Sequence, residues 1–314
     1  MLKDIADKIK AEIGKVVFAQ EEMTDAALTA LFAGGHVLLE GVPGLAKTLW
    51  VRALSRAVCA DFKRIQFTAD LMPSDILGTK IYSLKNGEFE LRRGPLFTQL
   101  LLADEINRTP PKTQSALLEV MEEKTITIDG EVYELAEPFF VMATQNPIEY
   151  EGTYPLPEAL IDRFMMKLLL NYPGVAAEKN ILLMHHENRS GKRPEEHTIE
   201  RVCECADIAA AKDEINSVRV EDSIMNYIVS IIETTRHVGP VAYGASPRGS
   251  VALLLASKSY AAINGRDFVI PDDVRMLAAP VLRHRIILKP EAEIDGLKTD
   301  TVIENILSKV RVPR

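Results

Sequence analysis

Five short, largely apolar runs, at 36–39, 64–67, 100–103, 139–143 and 167–170, punctuate the first half of the chain. Unbroken apolar character is what a strand covered on both faces requires, and the segments between the runs carry helical spacing. The pattern predicts an α/β fold, with a three-layer αβα core around a parallel sheet. Two further segments alternate instead, residues 81–91 around Asn86-Gly87 and residues 125–135 around Asp129-Gly130. Each predicts a β-hairpin, because those dipeptides accept the positive φ of tight turns. Both fall between core strands and are expected as inserts projecting from the sheet.

Beyond Tyr172-Pro173-Gly174 the strand signals stop. Helical spacing appears at 201–211, at 222–238 with Ile224, Ile228, Ile231 and Ile232 on one stripe, and at 247–264, closed by Gly265. The expected organisation is an α/β core over 1–173 and an all-α helical lid domain over 174–314. The aliphatic stripes of the lid are core faces.

Composition narrows the setting. A chain of 314 residues, 47% hydrophobic, can bury a large core. Its longest apolar runs fall well short of the roughly 18 residues that cross a bilayer, and the first fifteen residues mix lysine with acidic side chains, unlike a signal peptide. The three cysteines, Cys59, Cys203 and Cys205, have neither zinc-knuckle nor redox-pair spacing. A cytoplasmic protein with no membrane partner is expected. The net charge of −8 resides mostly in the first 173 residues and argues against a nucleic-acid partner.

The first apolar run continues into G-V-P-G-L-A-K-T and then a helical pattern. This is the layout of a P-loop, the Walker A motif: the backbone wraps a triphosphate, amides at the helix start donate to its oxygens, Lys47 adds charge and Thr48 offers a hydroxyl to Mg2+. Gly41, Pro43, Gly44, Leu45, Ala46, Lys47, Thr48 and Leu49 are the expected nucleotide contacts. The strict pattern has glycine at position 46. Ala46 is expected in the first helical turn, where negative φ suits alanine.

The run at 100–103 ends in Asp104-Glu105, at the sheet edge where α/β proteins bind ligands. In this Walker B arrangement Asp104 can hold magnesium and Glu105 can take a proton from the attacking water. Asn146, at the end of the neighbouring strand, is placed to orient that water with Glu105. Ser246 and Pro247 open a helix as N-cap and first residue. Arg248 then sits in a first turn, where the helix dipole opposes it, so a strong anion is expected nearby, with the γ-phosphate the obvious one. For Arg163, beside Asp162, a local ion pair is the ordinary explanation.

Taken together, G-V-P-G-L-A-K-T at 41–48, L-L-A-D-E-I-N-R at 101–108, T-Q-N-P at 144–147, E-G-T-Y-P-L-P at 151–157, D-R-F at 162–164 and G-A-S-P-R-G at 244–249 resemble the MoxR family of AAA+ ATPases. The resemblance implies that Asn146 is sensor 1, that Arg248 is sensor 2, and that Arg163 is an arginine finger reaching a neighbouring subunit's nucleotide in a ring, usually a hexamer. It implies that the segment of Val17 packs against adenine, although Ala19 departs from the family's glycine. The hairpins resemble the helix-2 and pre-sensor-1 inserts. Alanine at position 46 is what this family tends to have. The implied activity is magnesium-dependent ATP hydrolysis driving a chaperone-like or cofactor-insertion machine on protein clients, among them proteins with von Willebrand A type domains.

Two rivals stand beside it. A DNA-remodelling motor would need basic hairpin tips, and the second hairpin region, 121–137, carries six acidic residues and one lysine. A nucleotide-gated scaffold without turnover would fit better had Glu105 or Arg163 been absent. GTP is disfavoured, since no Asn-Lys-x-Asp signature occurs.

Overall fold

The structure is a computed structural model and describes residues 1–42, 44–146, 153–187 and 193–313. Each of the five apolar runs forms a strand: β1 (Val37–Glu40), β2 (Phe62–Gln66), β5 (Leu100–Asp104), β8 (Phe140–Gln145) and β9 (Met166–Leu169). They pair in parallel in the order β2-β5-β8-β1-β9. Successive side chains on a strand point to opposite faces. Val37, Leu39, Leu100, Leu102, Phe140 and Met142 accordingly enter one apolar core, while Leu38, Leu101, Ala103, Val141 and Ala143 enter the other. Both faces of the three central strands, β5, β8 and β1, are dry, which is why those strands show no alternation, whereas the edge strand β2 exposes Lys63, Arg64 and Gln66.

The first core is built with helices α1 (Leu2–Gly14), α2 (Glu21–Phe32) and α3 (Lys47–Ala57). Trp50 of α3 is fully buried, and its indole N–H donates to Thr24 Oγ1 of α2 at 2.9 Å. The second core is closed by α4 (Pro73–Leu77), α5 (Pro111–Glu123) and α6 (Glu158–Ile161).

Both hairpins form. In β6 (Thr125–Ile128) and β7 (Glu131–Glu134) the turn has two residues, and Asp129 and Gly130 both take positive φ. Between β3 (Gly78–Ser83) and β4 (Glu88–Arg93) the loop has four residues, of which Gly87 has positive φ. Lys80 and Glu131 tie the two hairpins together at 2.5 Å.

The remaining chain is helical: α7 (Val175–Glu187), α8 (Pro194–Thr198), α9 (Cys205–Ser217), α10 (Asp222–His237), α11 (Pro247–Ile263), α12 (Pro271–Leu282), α13 (Pro290–Ile294) and α14 (Thr299–Lys309). The helix expected from residue 201 starts at Cys205. The amides of Val202 and Cys203 donate to Ala57 O instead, and a reciprocal bond between Glu204 and Asp207 caps the helix there. The lid also holds one antiparallel ribbon, β10 (Val241–Tyr243) with β11 (Ile287–Leu288), too short to leave a periodicity. The stripe of Ile224, Ile228, Ile231 and Ile232 belongs to the same core as α1 to α3, so the apolar interior runs unbroken beneath core and lid. Among the described residues no helix is long and apolar enough to cross a membrane.

One buried histidine fixes the amino edge of the sheet. His36 Nδ1 accepts the Val141 amide at 3.1 Å and Nε2 donates to Met121 O at 3.2 Å, joining β1, β8 and the end of α5. Burial pushes this imidazole down to about 4, because its charged form would lose water without gaining a counter-ion. The unfolded chain then binds the proton better than the folded one. Its contribution is complete above about pH 6.5 and is lost as pH falls toward 4, a term on the order of 3 kcal/mol. Urea unfolding midpoints are expected to drop across this window, and His36→Gln to flatten the drop. An unchanged pH profile in His36→Gln would contradict the assignment.

Candidate functional site

At the carboxyl end of β1 the chain turns into α3 around a cavity of about 400 Å³. A side chain at Gly41 would meet Leu170 Cβ at 2.8 Å and Leu170 O at 3.0 Å, so glycine is required there. Gly44 has φ +88°. Ala46 has φ +57° and ψ +14°, which corrects the expectation of a negative φ: α3 starts one residue later, at Lys47, and residue 46 makes the left-handed bend before it. Glycine would take that bend freely, whereas alanine costs about 1 kcal/mol. Gly41, Gly44, Leu45, Ala46, Lys47, Thr48 and Leu49 all line the cavity, and Pro43 lies outside the described residues. Val17 is not brought there. It is buried in the turn between α1 and α2, drawn in by the core.

The strand ends supply the opposite wall, with Asp104, Glu105, Thr144, Gln145 and Asn146. Thr144 Oγ1 donates to Asp104 Oδ1 at 2.6 Å and accepts the Glu105 amide at 2.9 Å, so one hydroxyl orients both acidic residues. Arg64 Nη2 holds Asp104 Oδ2 at 2.7 Å. Glu105 has φ +58°, and its Oε2 is held by Gln66 Nε2 at 2.9 Å and Arg108 Nε at 3.0 Å. Asn146 is buried in the same wall. Lys47 Nζ donates to Gly41 O at 2.8 Å. Burial lowers the pKa of Lys47, and the charges of Asp104 and Glu105 oppose the shift.

Arg163 and Arg248 lie elsewhere. Arg163 Nη1 pairs with Glu122 Oε2, at the end of α5. Arg248 reaches the same carboxylate at 3.4 Å and Asp162 at 3.6 Å. Position 163 precedes β9, and Glu122 follows Met121, which bonds His36 just before β1. Both arginines therefore belong to the amino edge of the sheet, separated from the P-loop by strands of four to six residues, about 15 Å. This corrects the expectation that Arg248 meets the same triphosphate as Lys47 and Asp104. The anion that offsets the helix dipole is Glu122 with Asp162. Burial, then the charge of Arg248, lowers the pKa of Arg163, and its Nε is buried without a partner among the described residues.

Sequence reasoning assigned no role to Arg64, Gln66, Arg108 or Thr144. The signals were faint. Arg64 and Gln66 alternate with Ile65 and Phe67 on an edge strand, and Thr144 is a lone hydroxyl ending an apolar run.

Comparisons with known proteins point to one family. Residues 36–166 match the family model described as ATPase family associated with various cellular activities (AAA), and residues 233–306 match the AAA lid domain. The chain is 49% identical to the uncharacterized protein YeaC of Bacillus subtilis, over 99% of this chain and 96% of that one. It is 42% identical to chaperone MoxR1 of Mycobacterium tuberculosis, covering 96% and 81%, and 30% identical to protein MoxR of Methylorubrum extorquens, covering 93% and 90%. A solved structure from Cytophaga hutchinsonii superposes with a TM-score of 0.92 at 42% identity, covering all of this chain and 96% of that one. With a P-loop cradle, a strand-end carboxylate pair, a helical lid and relatives of this closeness over nearly its whole length, the chain belongs to the MoxR family of AAA+ ATPases.

Proposed function

We propose that this chain hydrolyses ATP with Mg2+ and works as a ring, usually a hexamer, in which each nucleotide is held by one subunit and completed by the next. The observation that carries the proposal is the split of charged groups between the two edges of the sheet. Lys47, the amides of 44–48, Asp104, Glu105 and Asn146 gather at the carboxyl edge, while Arg163 and Arg248 share Glu122 at the amino edge. A guanidinium at the amino edge cannot reach a triphosphate at the other edge of its own sheet, but it can reach one presented by a neighbour.

The loop amides bind and orient the phosphates, and Lys47 adds a charge held in place by its bond to Gly41. The Thr48 hydroxyl and the Asp104 carboxylate suit Mg2+, which keeps several waters and takes few protein oxygens; bound there, it would offset phosphate charge. Glu105 accepts the proton of the attacking water once it leaves Gln66 and Arg108, and Asn146 orients that water. Arg163 and Arg248 stabilise the charge of the transferring phosphoryl group across the subunit boundary.

The work done is on protein clients, in a chaperone-like or cofactor-insertion role. The relative named as a chaperone supports this reading, and partners with von Willebrand A type domains follow from the family resemblance. The acidic second hairpin disfavours nucleic acid. The three free cysteines suit a reducing cytoplasm.

Glu105→Gln is expected to bind ATP with unchanged affinity and to lose turnover by about 10²–10⁴-fold, measured by fluorescent-nucleotide titration beside phosphate release. Hydrolysis at the original rate would remove Glu105 from the mechanism. Arg163→Ala is expected to lose about 10³-fold in turnover and to recover activity when mixed with Glu105→Gln chains, which retain the arginine. No recovery in the mixture would contradict a role in trans.

A further inference from the structure

Arg285, in the turn that follows α12, takes no part in lining the nucleotide cavity, yet its guanidinium is saturated. Its side chain is 2% exposed. Nε donates to Asp162 Oδ1 at 2.8 Å, and Nη2 donates to the carbonyls of Asp162 at 2.9 Å and Phe164 at 2.8 Å. Nη1 donates to the carbonyl of Met165 at 3.1 Å and to that of Val281 in the last turn of α12. All five N–H groups of the side chain are engaged, four of them by residues 162–165. His284 adds a bond to the Phe164 carbonyl at 2.9 Å. Helix α11 closes on the stem of Arg285, since a side chain at Gly249 would approach its Cδ to 3.3 Å. Ser246 Oγ donates to Asp162 Oδ2 at 3.4 Å.

The lid thus grips the peptide on both sides of Arg163 and leaves the Arg163 side chain directed at Glu122. A planar fork with five donors fixes orientation in a way that a single ion pair does not. Here it fixes the turn from which the arginine projects. We propose that Arg285 is a positioning residue for Arg163: the lid of each chain sets the aim of the arginine that the chain offers to its neighbour's nucleotide. The inference rests on the trans reading of Arg163 given above.

Mixed rings of full-length chains test it. Arg163→Ala chains, with Glu105 intact, receive the arginine, and Glu105→Gln chains donate it. Adding Arg285→Gln to the donor is expected to reduce the restored turnover by about 10²-fold, the scale of a displaced catalytic group. Adding Arg285→Gln to the recipient is expected to leave it unchanged, because that chain has no arginine to aim. Equal losses in both arms, or no loss in either, would overturn the proposal. Absence of restored turnover before any change at Arg285 would instead sink the trans reading. Arg285→Lys serves if Arg285→Gln does not fold: it keeps the charge beside Asp162 and has three donors in place of five. In the donor it is expected to lower restored turnover while the chain still folds and assembles, and full restoration would overturn the proposal.

Discussion

Parallel pairing of five strands gives this molecule two chemically different edges. The carboxyl ends of β1, β5 and β8 come together, and with them the turn into α3, Asp104-Glu105 and Asn146. Helix dipoles and inward-facing amides make that edge a seat for anions. The amino ends carry His36, Glu122, Asp162 and Arg163, with Arg248 added by the lid. The strands between set a spacing that no side chain crosses. A phosphate seat on one edge and a cationic pair on the other are the two halves that the proposed ring would join between neighbouring copies.

The two arginines share Glu122 at a boundary where one of them is mostly shielded from water. Two like charges on one carboxylate repel, which is one source of the lowered pKa of Arg163. A phosphoryl group of higher charge is a better partner for the pair than a single carboxylate. The Nε of Arg163, without a partner among the described residues, adds a donor of the kind such a ligand uses. The lid matters to this edge as well as to the interior. Its isoleucine stripe shares a core with α1 to α3, and its Arg285 holds the turn at 162–165.

Much of this was legible in the chain. Strands dry on both faces announce themselves as unbroken apolar runs, and a phosphate-binding turn needs residue types that few other turns combine. The Asp129-Gly130 hairpin was legible because its turn is a local matter of two positive φ angles. Other features were not. Alanine at position 46 gives no sign that it takes a left-handed conformation, since composition records a side chain and not the bend imposed by the loop. The partner of Arg248 lies 126 residues away on α5, and four of the five acceptors of Arg285 lie more than a hundred residues earlier. Such pairings exist only once the sheet has brought β9 beside β1 and the lid has closed over them. For the same reason the nearest anion to Arg248 was misjudged as phosphate.

The central claim is that one chain alone is half an active site. ATP hydrolysis per chain, followed on dilution together with the sedimentation mass, tests it most directly. The account predicts a rate per chain that falls with the assembled fraction, toward the level of Arg163→Ala, as the mass approaches that of one subunit. A rate per chain that holds steady while the assembly comes apart would contradict it.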